Sequence, residues 1–448
     1  MVTDFRGFNQ FGLIGGAGMV LVWICTMLLV PPIILVGERL RPGVFTPKAN
    51  LWSRPFAVLG GMVQRRPVVF AALSAVALAV ALVPLGRYLK DPLEWDLNNL
   101  RSDETAAQRL WGKMEEMGMG NVGAGYIGNT GVLLVDTPEQ AEPVAEAMRQ
   151  KDAARGPAHV LAAVRTIMSV LPPKQDEKLV ILGRIRQKID RYRELMSEDE
   201  WRDIAGFRPP EYLRRLTPDD LPRIVREAFT ETDDTRGRLI GMDADYAVYQ
   251  DWNGHDLLRL AEALRVEALG KTWVAASAGT VFGGMIETIH RDGPQVTLVA
   301  LVGVLGLVVI MFGLRGAVPV ILALALGIMW LGGMLGYLHL KLNFMNFVTI
   351  PITLGVGADY AANIWARLRD EGPGQIREVI ASTGSAVVLC STTTMIGYST
   401  LLLANNRALR SFGLAADIGE ITCLLAALLF MPVLVGAFWR HRARSASR

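Results

Sequence analysis

Cysteine and histidine are both scarce in this chain of 448 residues, which contains three cysteines and five histidines. Cys25, Cys390 and Cys423 lie within apolar runs, and the histidines are scattered without the spacing of metal ligands. This pattern indicates neither a disulfide framework nor a metal site. No nucleophile–base pair is recognisable either, so we expect neither an enzyme nor a bound cofactor.

An excess of charge of one sign is also missing, since 46 basic residues stand beside 43 acidic ones and the formal net charge is +3. A charge this small argues against a nucleic-acid partner. What the chain does contain is 51% hydrophobic residues together with 20% charged residues. That mixture is typical of apolar membrane spans that alternate with a substantial water-exposed part.

Long apolar windows provide the spans. Windows of roughly 20 apolar residues, the length that crosses the hydrocarbon layer, lie near residues 11–36, 67–86, 294–314, 317–338, 345–366, 383–404 and 412–438. The first window lacks a basic leader and is followed by Pro31, Pro32 and a basic loop, which favours a retained helix over a signal peptide. We therefore predict a polytopic α-helical membrane protein with seven spans.

Basic residues in the short loops orient these spans, because such loops remain in the cytoplasm. The loop 37–67 and the tail 439–448 are rich in arginine, and arginines also occupy the turn at Arg315 and the linker from Arg367 to Arg377. We expect all of these on the cytoplasmic side. The N-terminus and the long segment 87–293 then lie outside.

An aspartate stands near the middle of the span at 345–366. A carboxylate at that depth costs several kcal/mol unless it faces a bundle interior or a water path, so Asp359 marks an ion or proton path. The alternative is an acid that caps a short re-entrant or soluble helix. Small residues nearby predict the close packing of another helix, and they are Gly355, Gly357, Ala358 and Ala362.

Polar residues around this acid extend the predicted proton relay. Tyr360 follows Asp359 directly and so does not share its helix face, which predicts a bond from its hydroxyl to a carboxylate of a neighbouring half. Asn363 lies one turn away on the same side as Asp359. Thr393 and Thr394 fall at a similar depth on the next span, where they bond either the acid or their own helix backbone.

Two further acids lie inside the last span. Asp417 and Glu420 are three residues apart and share one helix face. We place them nearer the outer end of the span, where an acid can reach water. They are expected either to form a second relay point or to line the substrate entrance.

An internal repeat links the two ends of the chain. The triplet at residues 11–13 recurs at 412–414, an offset of 412 − 11 = 401. The same offset pairs Arg6 with Arg407, Gly18 with Gly419, Leu28 with Leu429 and Pro31 with Pro432. Self-similarity at a fixed offset indicates duplicated architecture. On this interpretation the chain contains the last helix of one half and an entire second half.

The segment 87–293 is predicted to be a folded α+β domain. A strand at 132–135, a helix opened by Thr137 and Gln140, and a strand at 164–170 form a β-α-β unit. A second unit is predicted from a strand at 245–249, a helix at 256–266 and a strand at 272–276.

A helical insert separates these units, at about residues 174–235. Apolar residues alternate there by three and four, the stripe of an amphipathic helix, and they are Leu182, Ile185, Ile189, Tyr192 and Met196. The stripe either packs on a neighbouring helix or forms a lipid-handling groove. Ser197 and Thr217 are expected to start further helices.

Several of these motifs together resemble the resistance-nodulation-division (RND) superfamily, specifically its MMPL branch of lipid exporters. The resemblance rests on the Gly-x-Gly-x-Asp-Tyr pattern of residues 355–360 and on the Arg-Leu-Arg sequence 367–369 where that helix ends. It rests further on residues 391–398 and on the helix that begins with Phe412. The stretch 171–178 and the insert look most like hopanoid-transporter relatives. A full member has twelve spans and an Asp-Tyr pair in each half, so the resemblance covers a second half only.

The resemblance implies proton-motive-force-driven export (proton antiport) of lipids or other hydrophobic molecules at the bacterial inner (plasma) membrane, with the large loop in the periplasm. The implied partners are membrane lipids and either a separately encoded first half or a second copy of the chain; a truncated gene product is the other possibility. A sterol-sensing-like lipid-binding or regulatory membrane module that does not pump is the alternative function.

The implied organisation assigns each stretch of the chain a role. It consists of the last helix of a first half plus a cytoplasmic linker at 1–66, a transmembrane helix at 67–86, a periplasmic porter-like α+β domain with its insert at 87–293, a five-helix transmembrane bundle at 294–438 and a basic cytoplasmic tail at 439–448.

Overall fold

A computed structural model describes residues 6–42, 53–102, 130–250, 252–372 and 374–446, with isolated positions between 106 and 117. Residues 43–52 of the predicted cytoplasmic linker and the last two residues of the predicted tail lie outside the described residues. The chain divides into two compact units. The first, here called the helical unit, is Met1–Thr105 with Met285–Arg448, and the second, the mixed unit, is Ala106–Gly284.

The described elements are numbered in chain order. The helices are α1 (Arg6–Leu40), α2 (Ser53–Arg65), α3 (Pro67–Tyr88), α4 (Ala141–Ala153), α5 (Gln175–Tyr192), α6 (Glu198–Ala205), α7 (Arg223–Ala228), α8 (Gly254–Ala263), α9 (Ala278–Tyr337), α10 (Thr349–Glu371), α11 (Ile376–Val379), α12 (Ser385–Ser399), α13 (Arg407–Leu425) and α14 (Met431–Ala446). The strands are β1 (Gly131–Leu134), β2 (Leu161–Arg165), β3 (Leu239–Ala244), β4 (Arg265–Ala268) and β5 (Lys271–Val274).

Six helices among the described residues are long and apolar enough to cross a membrane. They are Asn9–Leu40, Pro67–Tyr88, Ala278–Tyr337, Asn346–Glu371, Ile376–Leu403 and Arg407–Ala437. The third contains two of the seven predicted spans, because Gly313 has a non-helical backbone with φ 68° and ψ 167°. This left-handed φ suits glycine, which has no side chain to clash with the backbone.

Contacts along α9 indicate that the chain reverses direction at Gly313. A Cβ built on Gly293 would lie 3.9 Å from Phe347, just before α10 begins, whereas one on Gly316 would lie 3.5 Å from Trp365, towards the end of α10. The first part of α9 therefore runs alongside α10, and the second part returns. The helix begins at Ala278, 294 − 278 = 16 residues before the predicted span near residue 294.

The loops of the helical unit gather at two opposite ends. At one end, Gln64 Nε2 of α2 donates to Gly374 O at 2.8 Å, which joins two of the basic loops. At the other end, Lys341 Nζ lies 2.6 Å from Asp91 Oδ2, and Glu94 N donates to Leu342 O. The two joined basic loops therefore lie at the end opposite Asp91 and Lys341.

Helix α2 was not predicted from the sequence. It lies in the basic loop and packs on α11, with Gly60 so close that a Cβ would lie 2.9 Å from the Arg377 Cα. Val63 is 1% exposed on the same side. The spacing of Phe56, Gly60 and Val63 by four and three is a helical signal, although the segment is too short and too polar to be a span.

The mixed unit contains a three-stranded sheet in the order β1-β3-β2, with β3 antiparallel to both neighbours. Helix α4 connects β1 to β2, with β3 inserted between these strands. The second strand of the first predicted β-α-β unit lies at Leu161–Arg165 and not at 164–170, because Met168–Val170 forms a 3-10 turn. Val144 and Met148 of α4 and Ile240 and Met242 of β3 are fully buried. Thr137 and Gln140 form the predicted capping box.

The second predicted unit is partly wrong. Its first strand lies at Leu239–Ala244 and not at 245–249, because Asp245 begins a turn in which its carboxylate accepts a bond from Ala247 N at 3.0 Å. The predicted helix is present as α8 but ends at Ala263, and β4 then forms an antiparallel hairpin with β5.

The helical insert is present as α5, α6 and α7. Ser197 caps α6 in a capping box with Glu200, and Thr217 caps a single 3-10 turn at Pro218–Asp220. No residue of α5 is buried, and its predicted apolar stripe is divided. Leu182, Ile189 and Met196 are partly covered, whereas Ile185 and Tyr192 are exposed.

A histidine–aspartate pair joins the start of β2 to the end of β3 and predicts a pH dependence. His159 Nε2 lies 3.0 Å from Asp245 Oδ2, and Nδ1 lies 3.0 Å from Gly156 O. The bond to Asp245, and then that to Gly156, raise the pKa of His159 above its ordinary value of 6.5. Its stabilising contribution is therefore complete below about pH 6.5 and is lost as the pH rises through the raised pKa.

We expect amide exchange in β2 to accelerate over that rise in pH more in the wild type than in His159→Gln, after correction for the intrinsic pH dependence. Hydrogen exchange followed by mass spectrometry on the full chain measures this. Identical pH profiles for the two proteins would show that the pair does not stabilise the strand ends.

Candidate functional site

Helix α10 has two different sides. Gly357, Ala358 and Tyr360 are buried against the rest of the helical unit, whereas Gly355 and Asp359 are exposed. The buried side makes a close approach to α13, since a Cβ on Gly357 would lie 2.7 Å from Cys423 Sγ. The predicted close-packing set is therefore divided. Gly357 and Ala358 pack within the chain, Gly355 has nothing within 4 Å of a Cβ, and Ala362 is half-buried.

Asp359 is the eleventh of the 23 residues of α10 and lies on its uncovered side. Asn363 Nδ2 donates to Asp359 Oδ1 at 3.0 Å and also to the Asp359 carbonyl oxygen at 3.0 Å. No basic side chain among the described residues forms an ion pair with Asp359. The predicted neighbour Asn363 is thus brought to the acid, while the described residues do not enclose the acid.

The enclosed acid is Glu420. Its Oε2 accepts a hydrogen bond of 2.5 Å from the Tyr360 hydroxyl and one of 3.1 Å from Ser391 Oγ. All three side chains are at most 3% exposed, and they join α10, α12 and α13. The carboxylate that Tyr360 bonds therefore belongs to the same chain, and the expectation of a bond to a neighbouring half is wrong.

Glu420 also lies deeper than predicted. It meets Tyr360, which stands beside Asp359 in the middle of α10, so its placement near the outer end of the span is wrong. Asp417, one turn earlier, accepts a bond from Ser399 Oγ at 2.8 Å, while its Oδ1 is buried without a partner. The two acids thus face different parts of α12.

The threonines of α12 do not bond Asp359. Thr393 Oγ1 donates to Cys390 O at 2.7 Å, and Thr394 Oγ1 donates to the same carbonyl at 3.1 Å. These are bonds to their own helix backbone, the second of the two predicted arrangements. Thr393 is nevertheless exposed, as is Asp359.

A cavity of about 750 Å³ opens near the end of the helical unit that holds the Lys341–Asp91 pair. Its walls come from the segment after α3, from α9, and from the start of α10 with the segment before it, and they include Leu298, Leu301, Leu342, Phe347 and Ile350. Lys90 and His290 contribute polar groups. An apolar cavity with a few polar groups is the usual form of a site for small amphiphilic ligands.

The buried Glu420 cluster predicts a difference between two substitutions. Glu420→Ala leaves the Tyr360 hydroxyl without its acceptor, and an unsatisfied buried polar group costs about 1–3 kcal/mol. Glu420→Gln keeps an acceptor oxygen, so we expect it to lower the free energy of unfolding by less. Unfolding titrations in detergent measure both, and equal losses would contradict the role of these hydrogen bonds.

Comparison with known proteins finds a family model that matches part of the chain, and relatives at low identity. Residues 259–448 match the MMPL family. The hopanoid transporter HpnN of Burkholderia multivorans is 22% identical over an alignment that covers 100% of this chain and 55% of that protein. A membrane protein of Methanocaldococcus jannaschii is 24% identical over 50% of this chain and 63% of its own length.

The chain thus spans roughly 60% of the length of these relatives, or less. Among solved structures, SecDF of Thermus thermophilus, a translocon-associated membrane protein, aligns with a TM-score of 0.39 and 13% identity. That alignment covers 84% of this chain and 59% of that one.

Proposed function

Because the chain carries an MMPL family domain at residues 259–448, we propose that it is one half of a proton-coupled exporter of lipids or other hydrophobic molecules. The observation that carries this proposal is Asp359. It is an acid in the middle of a helix that is apolar enough to span a membrane, and its side chain points away from the chain's own core. Such acids are retained at membrane depth for ion or proton movement.

The proposed relay has an open part and an enclosed part. Asp359 and Asn363 form the open part, where a proton enters or leaves along the uncovered side of α10. Tyr360, Ser391 and Glu420 form the enclosed part, which ties α10 to α12 and α13 through a shared carboxylate. A change in the charge of Asp359 can thereby alter the packing of three helices, the kind of coupling that a transport cycle requires.

The substrate is proposed to enter through the cavity between α9, the start of α10 and the segment that follows α3. Its apolar walls suit acyl chains, and Lys90 suits an anionic or polar headgroup. The hopanoid-transporter relative is named for a lipid cargo, which supports a hydrophobic substrate class.

A second helix bundle is proposed as the partner that covers Asp359. An acid in contact with lipid is unfavourable, and Gly355 on the same side offers a close approach. This bundle is supplied by a separately encoded chain, by another part of a longer polypeptide or by a second copy of the chain.

Transport in reconstituted vesicles tests the function. The protein, co-purified with its partner bundle, is placed in vesicles with a fluorescent lipid, and an imposed pH gradient is expected to accelerate movement of that lipid. Binding of the lipid with no response to the gradient would instead favour a lipid-binding or regulatory membrane module. If the protein neither binds nor transports the lipid, both proposed functions are overturned.

We further propose that the mixed unit lies on the periplasmic side of a bacterial inner membrane, with the basic loops in the cytoplasm. Single cysteines replace Glu139 or Arg54 in a background without the three native cysteines. An impermeant thiol reagent added from outside is expected to label Glu139→Cys and to leave Arg54→Cys unmodified. Labelling of Arg54→Cys alone would invert the topology.

A further inference from the structure

Helix α5 of the mixed unit is covered on one side only. The segment that follows α6 runs back along it, with Arg208 Nε 2.6 Å from Asp190 Oδ1 and Leu216 N donating to Gln175 Oε1 at 2.7 Å. Arg186 on the same side donates to Glu211 O at 3.0 Å. Among the described residues, none covers the opposite side of the helix in this way, and we call it the open side of α5.

Apolar side chains are exposed on this open side. Ile181, Ile185 and Tyr192 are 53%, 42% and 44% exposed, and Leu195, just beyond the end of α5, is 79% exposed. They follow each other by intervals of four, seven and three residues, which places them along one strip of a helix. Exposed apolar residues that form a contiguous strip mark an interaction site far more often than single ones do.

Basic side chains accompany this strip. Arg184, Lys188 and Arg191 are exposed at helical spacing beside it, and none of them forms an ion pair with a described residue. The acids of α5 differ, since Asp176 and Asp190 are bonded to arginines and Glu177 to a lysine. The open side is therefore apolar and cationic, with its positive charge uncompensated.

We propose that the open side of α5 binds a surface of anionic lipid headgroups. A helix with an apolar strip flanked by Lys and Arg is the typical design for lying in the interface of an anionic membrane. The long cationic side chains can reach phosphate groups while Ile185 and Tyr192 enter the acyl boundary. Lys188 lies between Ile185 and Tyr192, and lysine is depleted at the centre of protein–protein interfaces, which disfavours a protein as the occupant.

This surface is independent of the proton relay, so it would bind lipid whether or not Asp359 carries protons. The experiment uses the full chain in phosphatidylcholine nanodiscs, mixed with separate vesicles of phosphatidylcholine alone or with added phosphatidylglycerol. Co-flotation of the nanodiscs with the vesicles is measured at low and at high salt. We expect binding to the phosphatidylglycerol vesicles only, with a decrease at high salt.

Charge-neutralising variants locate the binding. Each of Arg184→Gln, Lys188→Gln and Arg191→Gln is expected to weaken the affinity about fivefold, the effect of about one basic residue at an anionic surface. Tyr192→Ser should weaken it without changing the salt dependence. Arg223→Gln, an exposed arginine on α7 away from the open side, is the matched control and should bind as the wild type does. Unchanged thermal unfolding confirms that the variants fold.

Equal binding to both kinds of vesicle would overturn the proposal. So would wild-type affinity in the triple variant, which combines Arg184→Gln, Lys188→Gln and Arg191→Gln. Self-association without vesicles that disappears in the triple variant would also overturn it, because the open side would then be a protein interface.

Discussion

Replacing Asp359 by Asn is expected to abolish transport driven by a pH gradient while the protein still inserts and folds. Asparagine keeps the shape of the side chain and an acceptor oxygen for Asn363 Nδ2, which lies 3.0 Å from the acid. It cannot carry a proton at any accessible pH. Removal of a positioned proton carrier slows proton transfer by about 100-fold or more, so we expect the transport rate in vesicles to fall to the level without a gradient.

The matched control lies on the same helix. Asp370→Asn changes the same chemical group near the end of α10, where the side chain is exposed at the basic end of the helical unit. It should transport at the wild-type rate. Wild-type transport by Asp359→Asn would show that Asp359 does not couple proton movement to transport. Loss of transport in both variants would indicate a general effect of charge on α10.

The position of Asp359 could be predicted from the sequence because it depends on local rules. An acid in an apolar window and an amide four residues later require only the length of a span and the period of a helix. The partner of Tyr360 could not be predicted in this way. Its bond to Glu420 joins residues 60 positions apart, and it exists because Gly357 and Gly419 bring α10 and α13 into close contact.

The same distinction applies to the fold. The spans could be predicted from apolar windows, and helix starts from the capping boxes at Thr137 and Ser197, because each of these signals lies within one short stretch of sequence. The early start of α9 was missed because its first turns are not apolar enough to register as a span. The strand β3 was misplaced by a few residues because Leu239 to Ala244 contains Gly241 and Asp243, which weaken the strand signal although the segment is the centre of the sheet.

The two ends of the internal repeat differ in what packs on them. Helix α13 begins at Arg407, and its counterpart at the sequence offset of 407 − 6 = 401, Arg6, lies within α1. A Cβ on Gly419 of α13 would lie 2.5 Å from Thr353 Oγ1 of α10. A Cβ on its counterpart in α1, Gly18, would have no described residue within 4 Å. The repeat therefore predicts that Gly18 packs on a second bundle as Gly419 packs on this one.

Leucine at these two glycines is expected to have opposite consequences. Gly419→Leu overpacks the contact between α10 and α13 and should lower the free energy of unfolding by about 1–3 kcal/mol or more. Gly18→Leu should leave the chain's own stability unchanged within about 0.5 kcal/mol and weaken its association with a second bundle at least about tenfold, the effect of about 1.4 kcal/mol. Unfolding titrations and mass measurement in mild detergent, with the partner bundle co-expressed, separate the two effects. A monomeric chain that transports lipid equally well with Gly18→Leu would show that no second bundle packs on α1, and Asp359 would then have to work within this chain alone.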